Sequence, residues 1–191
     1  MIKGKNLLLA SGSPRRRELL AALDAQMCIV ELHEVDESYP ATLPATRVPE
    51  YIAAKKRNAY DRSLLGDNDV LITADTVVIL EDKVLGKPHN EQEAVEMLHS
   101  LSGKTHTVVT GVSLTTSKTS IVFSTSTDVT FDTLTDEQIN YYVDRYRPLD
   151  KAGAYGIQEW IGYIGIKSIN GCYYNVMGLP LHDLYSNLMK L

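Results

Sequence analysis

Asn6-Leu7-Leu8-Leu9-Ala10-Ser11-Gly12-Ser13-Pro14-Arg15-Arg16-Arg17 is an apolar run that stops at two serines and resumes as a cationic segment. Asn6 to Ala10 reads as a short buried strand. Pro14 to Leu23 reads as a helix, because proline suits the first helical position and Ser13 suits the N-cap before it. Leu19, Leu20 and Leu23 supply the apolar stripe of that helix. A strand that feeds directly into a helix N-terminus is the opening unit of an α/β fold, and the junction itself has a chemistry. The first helical turn leaves N–H groups free at the positive end of the helix dipole, which favours an anion. Ser11 and Ser13 add hydroxyl donors, Gly12 lets the backbone come close, and Arg15 and Arg16 carry forks matched to phosphate oxygens. The pattern is not a Walker loop. Taken alone, the spacing leaves two readings open: an anion site, or a capped helix with a solvated arginine face.

Outward from this junction, Cys28 to Leu32 reads as a second strand, and a polar loop containing Pro40 and Pro44 follows. Pro49 to about Arg62 reads as a basic helix carrying Lys55 and Lys56. Val70 to Leu80 is rich in β-branched residues and reads as a buried strand interrupted by Asp75. Asn90 caps a helix to about Leu101, with Glu93 at the capping-box position. His106 to Thr116 and Ser120 to Thr133 alternate around Ser117-Lys118 as a β-hairpin. Thr135 caps a helix to about Asp144, Trp160 to Ile169 suggests another strand, and Pro180 to Leu191 closes the chain as a helix. Strands and helices mix without strict alternation, so the expected class is α/β (α+β mixed) on a mixed β-sheet.

The bulk properties bound the function. A chain of 191 residues is long enough for one domain or for two small lobes sharing a core. No apolar run approaches the roughly 20 residues that span a bilayer, and the Leu7–Ala10 run is too short for a signal-peptide core. The expected location is therefore cytoplasmic, with no membrane partner. The net charge of −5 makes a nucleic-acid partner unexpected, although a few cations gathered in one place still suit a small polyanion. Cys28 and Cys172 lack CxxC spacing and read as reduced packing residues. His33, His89, His99, His106 and His182 have no paired spacing and form no metal cluster.

Several other residues carry chemistry. Asp75 stands in an apolar strand, where an unpaired carboxylate is costly. A metal ion, a water-activating role or an ion pair with a lysine or arginine each accounts for it. Asp36-Glu37 adds carboxylates, and oxygen ligands beside phosphates suit Mg²⁺ or Mn²⁺. Gly86-Lys87-Pro88 holds a lysine in a constrained turn. Lys151-Ala-Gly-Ala-Tyr-Gly-Ile-Gln158 is glycine-rich, so its backbone can approach a flat ligand while Gln158 offers a donor and an acceptor to a base edge.

Set in order, these segments resemble the Maf family of septum formation proteins over nearly the whole chain. The matching elements are Leu9–Arg16, Asp36-Glu37, the Ala54-Lys55 helix, Ala74–Val78, Gly86–Pro88, Leu101–His106, Thr110–Val112, Lys151–Gln158 and Gly178–Leu181. The resemblance implies one domain over 1–191, an elongated mixed sheet with two lobes around a substrate cleft, related to the inosine triphosphatase fold. It implies a nucleoside triphosphate pyrophosphatase that cleaves between the α- and β-phosphates with a divalent cation, Mg²⁺ or Mn²⁺, and that removes non-canonical nucleotides. Asp75 would be the proton acceptor. Arg15, Thr76 and Gln158 would discriminate substrates, and Ser11, Arg16, Glu37, Lys55 and Lys87 would complete the site, with Asp75 and Glu37 holding the metal. The form of Lys151–Gln158 points to the dTTP/UTP subgroup; the alternatives are a 7-methyl-GTP pyrophosphatase or a nucleotide-binding regulator of cell division with little turnover. A homodimer is also implied. Glu159-Trp160 follow Gln158 where the family carries a small residue, often glycine.

Overall fold

The structure is a computed structural model that describes residues 2, 4–32 and 35–191. His33 lies outside the described residues. The expected mixed class is observed: a seven-stranded sheet in the order β2-β1-β3-β5-β6-β7, with β4 added to β3. The strands are β1 (Asn6–Leu9), β2 (Met27–Ile29), β3 (Asp69–Leu80), β4 (Lys83–Leu85), β5 (Thr105–Thr115), β6 (Ser120–Phe131) and β7 (Ile166–Asn170). The helices are α1 (Pro14–Ala21), α2 (Val48–Asn58), α3 (Glu91–Leu101), α4 (Asp136–Tyr146), α5 (Trp160–Gly165), α6 (Tyr173–Met177) and α7 (Leu181–Leu188). None is long and apolar enough, among the described residues, to cross a membrane.

Two compact units share the chain. The first comprises residues 1–75, 110–125 and 178–191, and the second comprises 76–109 and 126–177. In the first unit β1 lies between β2 and β3 and runs parallel to both, with Leu7 opposite Val70 and Leu9 opposite Ile72. Parallel neighbours need crossover connections, which α1 and α2 supply. Leu7 and Leu9 point to the buried face, in keeping with the two-residue period of a strand. Helix α2 is held on β3 by the Thr73 hydroxyl, which donates to the Ala53 carbonyl at 2.7 Å. It also lies directly against Gly111 of β5, where a Cβ would run into the backbone of Pro49 and Glu50. That close approach is the physical content of the Thr110-Gly-Val112 motif.

The second unit is built on an apolar cluster that includes Val78, Leu98, Leu101, Val108, Phe131, Ile139, Tyr142 and Ile161. Its helix caps were legible in the sequence. Asn90 accepts from Glu93 N–H at 2.9 Å, and Thr135 with Gln138 forms a complete capping box. Glu93 does not close a box on Asn90; its carboxylate accepts from His89 N–H at 2.8 Å instead.

Three expectations are corrected. Trp160–Ile169 is not one strand: α5 occupies Trp160–Gly165 and β7 begins at Ile166. The aromatic and β-branched residues here suit a strand by propensity, but Gly162 sits so tightly on the Ile157 carbonyl that the chain can coil. Ser13 takes the N-cap position without a side-chain cap bond; its own N–H is spent on Ser11 Oγ at 3.2 Å. Cys28 is exposed rather than packed, although both cysteines are free.

His106 is fully buried in the second unit, stacked on Phe131 with ring centroids 5.6 Å apart, and its Nε2 shares a proton with the Tyr155 hydroxyl at 2.7 Å. Burial pulls its pKa down to about 4, against a partial opposing pull from Asp128. Because the folded state resists protonation, His106 leaves stability intact above its unfolded value of 6.5 and withdraws it as pH falls from there toward 4. The full effect is about 3 kcal/mol. Urea titrations at stepped pH should show this loss in the native chain and not in His106→Gln, so equal slopes for the two would refute the assignment. Independently, Gly111→Ala should lose about 3 kcal/mol in the same assay at pH 7, because the obstructing atoms are main chain and cannot rotate away.

Candidate functional site

The first unit gathers the anion loop, the basic helix and Asp75. Arg16 is the pivot. Its Nε donates to the Gly178 carbonyl at 2.8 Å, and its Nη1 donates to the Ala74 carbonyl at 2.9 Å and to Ser11 Oγ at 3.4 Å. Segments distant in sequence are thus tied by one planar fork. Burial lowers the Arg16 pKa, Asp75 opposes that shift, Arg15 reinforces it and Glu37 opposes it. An arginine remains protonated throughout, so Arg16 is a positive charge held largely out of water and balanced by nearby carboxylates.

Asp75 is not left alone in its strand. Lys56 Nζ lies 2.9 Å from Asp75 Oδ1 and 2.8 Å from Glu37 Oε1. The ion-pair reading of Asp75 therefore describes its local geometry, and one ammonium joins the two carboxylates named as metal ligands. Lys55, the lysine expected in the site, is occupied elsewhere: its Nζ is 3.0 Å from Asp36 Oδ2 and donates to the Ser38 carbonyl at 2.8 Å. Asp36 also accepts from the Ser38 hydroxyl and N–H, which with Lys55 holds its carboxyl well below the usual range. The sequence places both lysines on α2, and the helix phase does not separate them: Val48, Pro49, Ile52 and Ala53 are its buried residues, and the positions three or four on from Ile52 are both Lys55 and Lys56. Their ion pairs distinguish them.

The second unit holds Thr76, Lys87 and Gln158. Thr76 is half-buried on β3 and Lys87 is exposed in its turn. The Gly86 carbonyl accepts from Gly153 N–H at 3.0 Å, so the Lys87 turn and the Lys151–Gln158 segment are joined. Gly153 has φ of +67° and packs on Val78, a combination that calls for glycine. The Gln158 carbonyl accepts from the Tyr163 hydroxyl at 2.7 Å. Its side-chain Oε1 is buried with no donor among the described residues, and such an atom is costly unless a ligand satisfies it.

Two of the sequence motifs serve the scaffold. In Leu101–His106, the Ser102 hydroxyl accepts from Leu134 N–H at 2.8 Å and Gly103 takes φ of +69°. In Gly178–Leu181, Gly178 takes φ of +111° and presents its carbonyl to Arg16.

A model of Maf-like proteins matches residues 6–191. The chain belongs to the Maf family. It is 56% identical over 185 residues to a dTTP/UTP pyrophosphatase of Bacteroides thetaiotaomicron, covering 97% of this chain and 95% of that one. It is 50% identical over 188 residues to a dTTP/UTP pyrophosphatase of Porphyromonas gingivalis, covering 98% and 94%. Among solved structures, a HAM1 protein from Coxiella burnetii matches 98% of this chain and 100% of its own, with a TM-score of 0.53 at 12% identity. That likeness concerns the fold alone.

Arg16 offers a direct test of the first unit. Arg16→Lys keeps the charge but loses the fork, so it should lower stability by about 2 kcal/mol through two charge-assisted bonds. Arg17→Lys, at an exposed position, should stay within about 0.5 kcal/mol. Equal urea midpoints for the two variants would contradict the role given to Arg16.

Proposed function

We propose that this chain is a nucleoside triphosphate pyrophosphatase acting on dTTP and UTP. The observation that carries the reading is the convergence of Glu37, Lys56 and Asp75 on one point beside Arg16 and the Ser11 turn, in a chain of the Maf family whose relatives bear that name. Those names favour the pyrimidine substrates over 7-methyl-GTP.

The reaction is in-line displacement at the α-phosphorus. Asp75 orients a water and takes its proton onto a carboxylate oxygen; the new P–O bond forms as the α–β bridging bond breaks, and pyrophosphate departs. Arg15, Arg16, Ser11 and Lys87 bind phosphate oxygens and offset the charge that builds on the leaving group. Lys56 joins this set in place of Lys55, which supports the Asp36 loop. Gln158 reads the base: its buried Oε1 is an acceptor in need of a donor, and the N3–H of uracil or thymine is one. Thr76 contributes to the same choice.

The donor set fits a divalent cation. Glu37 and Asp75 already close on one positive centre, the Lys56 ammonium, and both offer hard oxygens suited to Mg²⁺ or Mn²⁺. Among the described residues no cluster of three or more histidine, cysteine or acidic side chains stands ready for a metal, so the remaining ligands would be phosphate and water. When bound there, the cation supplies charge neutralisation at the phosphates. The whole of 1–191 works as one enzyme in this reading, a soluble cytoplasmic homodimer with no nucleic-acid partner.

Pyrophosphate release from dTTP and UTP with Mg²⁺ tests the assignment. Asp75→Asn should lower kcat at least about 100-fold. Lys56→Gln should lose about as much as one oxyanion donor, roughly 100-fold, while Lys55→Gln loses less than about tenfold. Near-normal turnover by Asp75→Asn would remove it as the base, and a larger loss at Lys55 than at Lys56 would place Lys55 at the phosphates instead.

A further inference from the structure

The segment that carries Gln158 is closed on itself by a charge relay. Lys151 opens the segment and Glu159 follows it, and their side chains meet at 3.1 Å with only 9% and 20% of each exposed. The other Glu159 oxygen, Oε2, accepts from the Tyr142 hydroxyl of α4. That hydroxyl in turn accepts from Gly156 N–H at 3.1 Å, in the middle of the segment. Glu159 also lies over Gly156, where a Cβ would come within 2.8 Å of its carboxyl carbon. Both ends and the centre of Lys151–Glu159 are therefore fixed to one carboxylate and one phenol. Lys151 retains Asp150 at 2.7 Å as a further partner.

The proposed mechanism does not use this relay. Its geometry nevertheless bears on Gln158, the residue before Glu159. A side-chain amide left with a buried acceptor is useful for recognition only if its backbone cannot drift, because a displacement of the order of an ångström costs a hydrogen bond. Tyr163 fixes the Gln158 carbonyl from the outside at 2.7 Å; the relay fixes the segment from the inside.

We propose that Glu159, bridged to Lys151 and Tyr142, is a positioning residue for base selection: it preorganises Gln158 to accept the N3–H of uracil or thymine. The proposal rests on the reading of Gln158 given above. It assigns Glu159 no contact with substrate and no part in the chemical step. Its signature is therefore a selective one. Loosening the relay should raise KM for a base that offers N3–H and leave kcat and the handling of a base without N3–H largely unchanged.

The experiment compares UTP with N3-methyl-UTP, which lacks the donor, by pyrophosphate release from the full chain. The native enzyme should prefer UTP in kcat/KM by at least about tenfold, and Gln158→Leu should abolish the preference. Glu159→Gln, which keeps the side chain's shape but loses the charge that pairs Lys151, should cut the preference at least about threefold through KM for UTP, with kcat within about twofold. Tyr142→Phe, which keeps the ring and removes the hydroxyl, provides the second variant and should act in the same direction. Urea melts confirm that each variant is folded at the assay temperature. A preference retained in both folded variants, or an equal loss for both substrates, overturns the role of Glu159 while leaving Gln158 in place. No preference in the native enzyme, or a preference that survives Gln158→Leu, overturns the base reading and the relay's function with it.

Discussion

One guanidinium holds the first unit together. Arg16 is largely withdrawn from water, and an isolated charge in that position would be prohibitive. Two main-chain carbonyls, Ala74 and Gly178, accept from it, and Asp75 favours its charged form. Because the acceptors are backbone atoms, the constraint fixes chain paths. The carbonyl before Asp75 is held, the turn that leads into α7 is held, and Ser11 is drawn to the same fork. Once Asp75 is placed by this means, its own charge needs a partner from another direction, and Lys56 supplies it while also taking Glu37.

Much of the fold was legible because long strands and well-capped helices repeat their signals. Strands β3, β5 and β6 run for 12, 11 and 12 residues, and side-chain alternation or continuous apolar character persists over such lengths. Thr135 and Asn90 announce helix starts through local chemistry that tertiary structure has no reason to override. The short elements behaved otherwise. Helix α5 has six residues, too few for a helical period to establish itself, and its composition favours a strand. What decides it is non-local: Gly162 fits against the Ile157 carbonyl, and Gly165 packs on Leu134 and Phe131. Helix α6, of five residues, went unread for the same reason.

The candidate site was legible as a set of segments and less so as a set of contacts. Ser11, Arg16, Glu37 and Asp75 come together in the first unit, as their residue types suggested. The choice between Lys55 and Lys56 shows what a motif leaves out. Adjacent residues on a helix point about 100° apart, so a basic pair can meet two different sets of partners. Only the contacts of the folded chain separate these two: Lys55 pairs with Asp36, and Lys56 with Glu37 and Asp75. Glu159 is a related case. It reads as a departure beside Gln158, and only its ion pair with Lys151 and the Tyr142 hydroxyl explain how a carboxylate is tolerated in a half-buried position.

The ion pairs also bear on how a triphosphate is accommodated. Counting cations near the Ser11 turn overstates the attraction available, because Lys55 is already matched by Asp36 and Lys56 by both Glu37 and Asp75. A polyphosphate that approached these pairs would meet carboxylates as well as ammonium groups, and the lysines would have to be drawn away from partners at 2.8 to 3.0 Å. A divalent cation resolves the conflict on the proposed reading. Together Glu37 and Asp75 would hold it, and its charge would offset their repulsion of phosphate. Lys56 would then be left to face the phosphate oxygens, so on that reading it is charge balance within the first unit that gives the two carboxylates and Lys56 their separate parts.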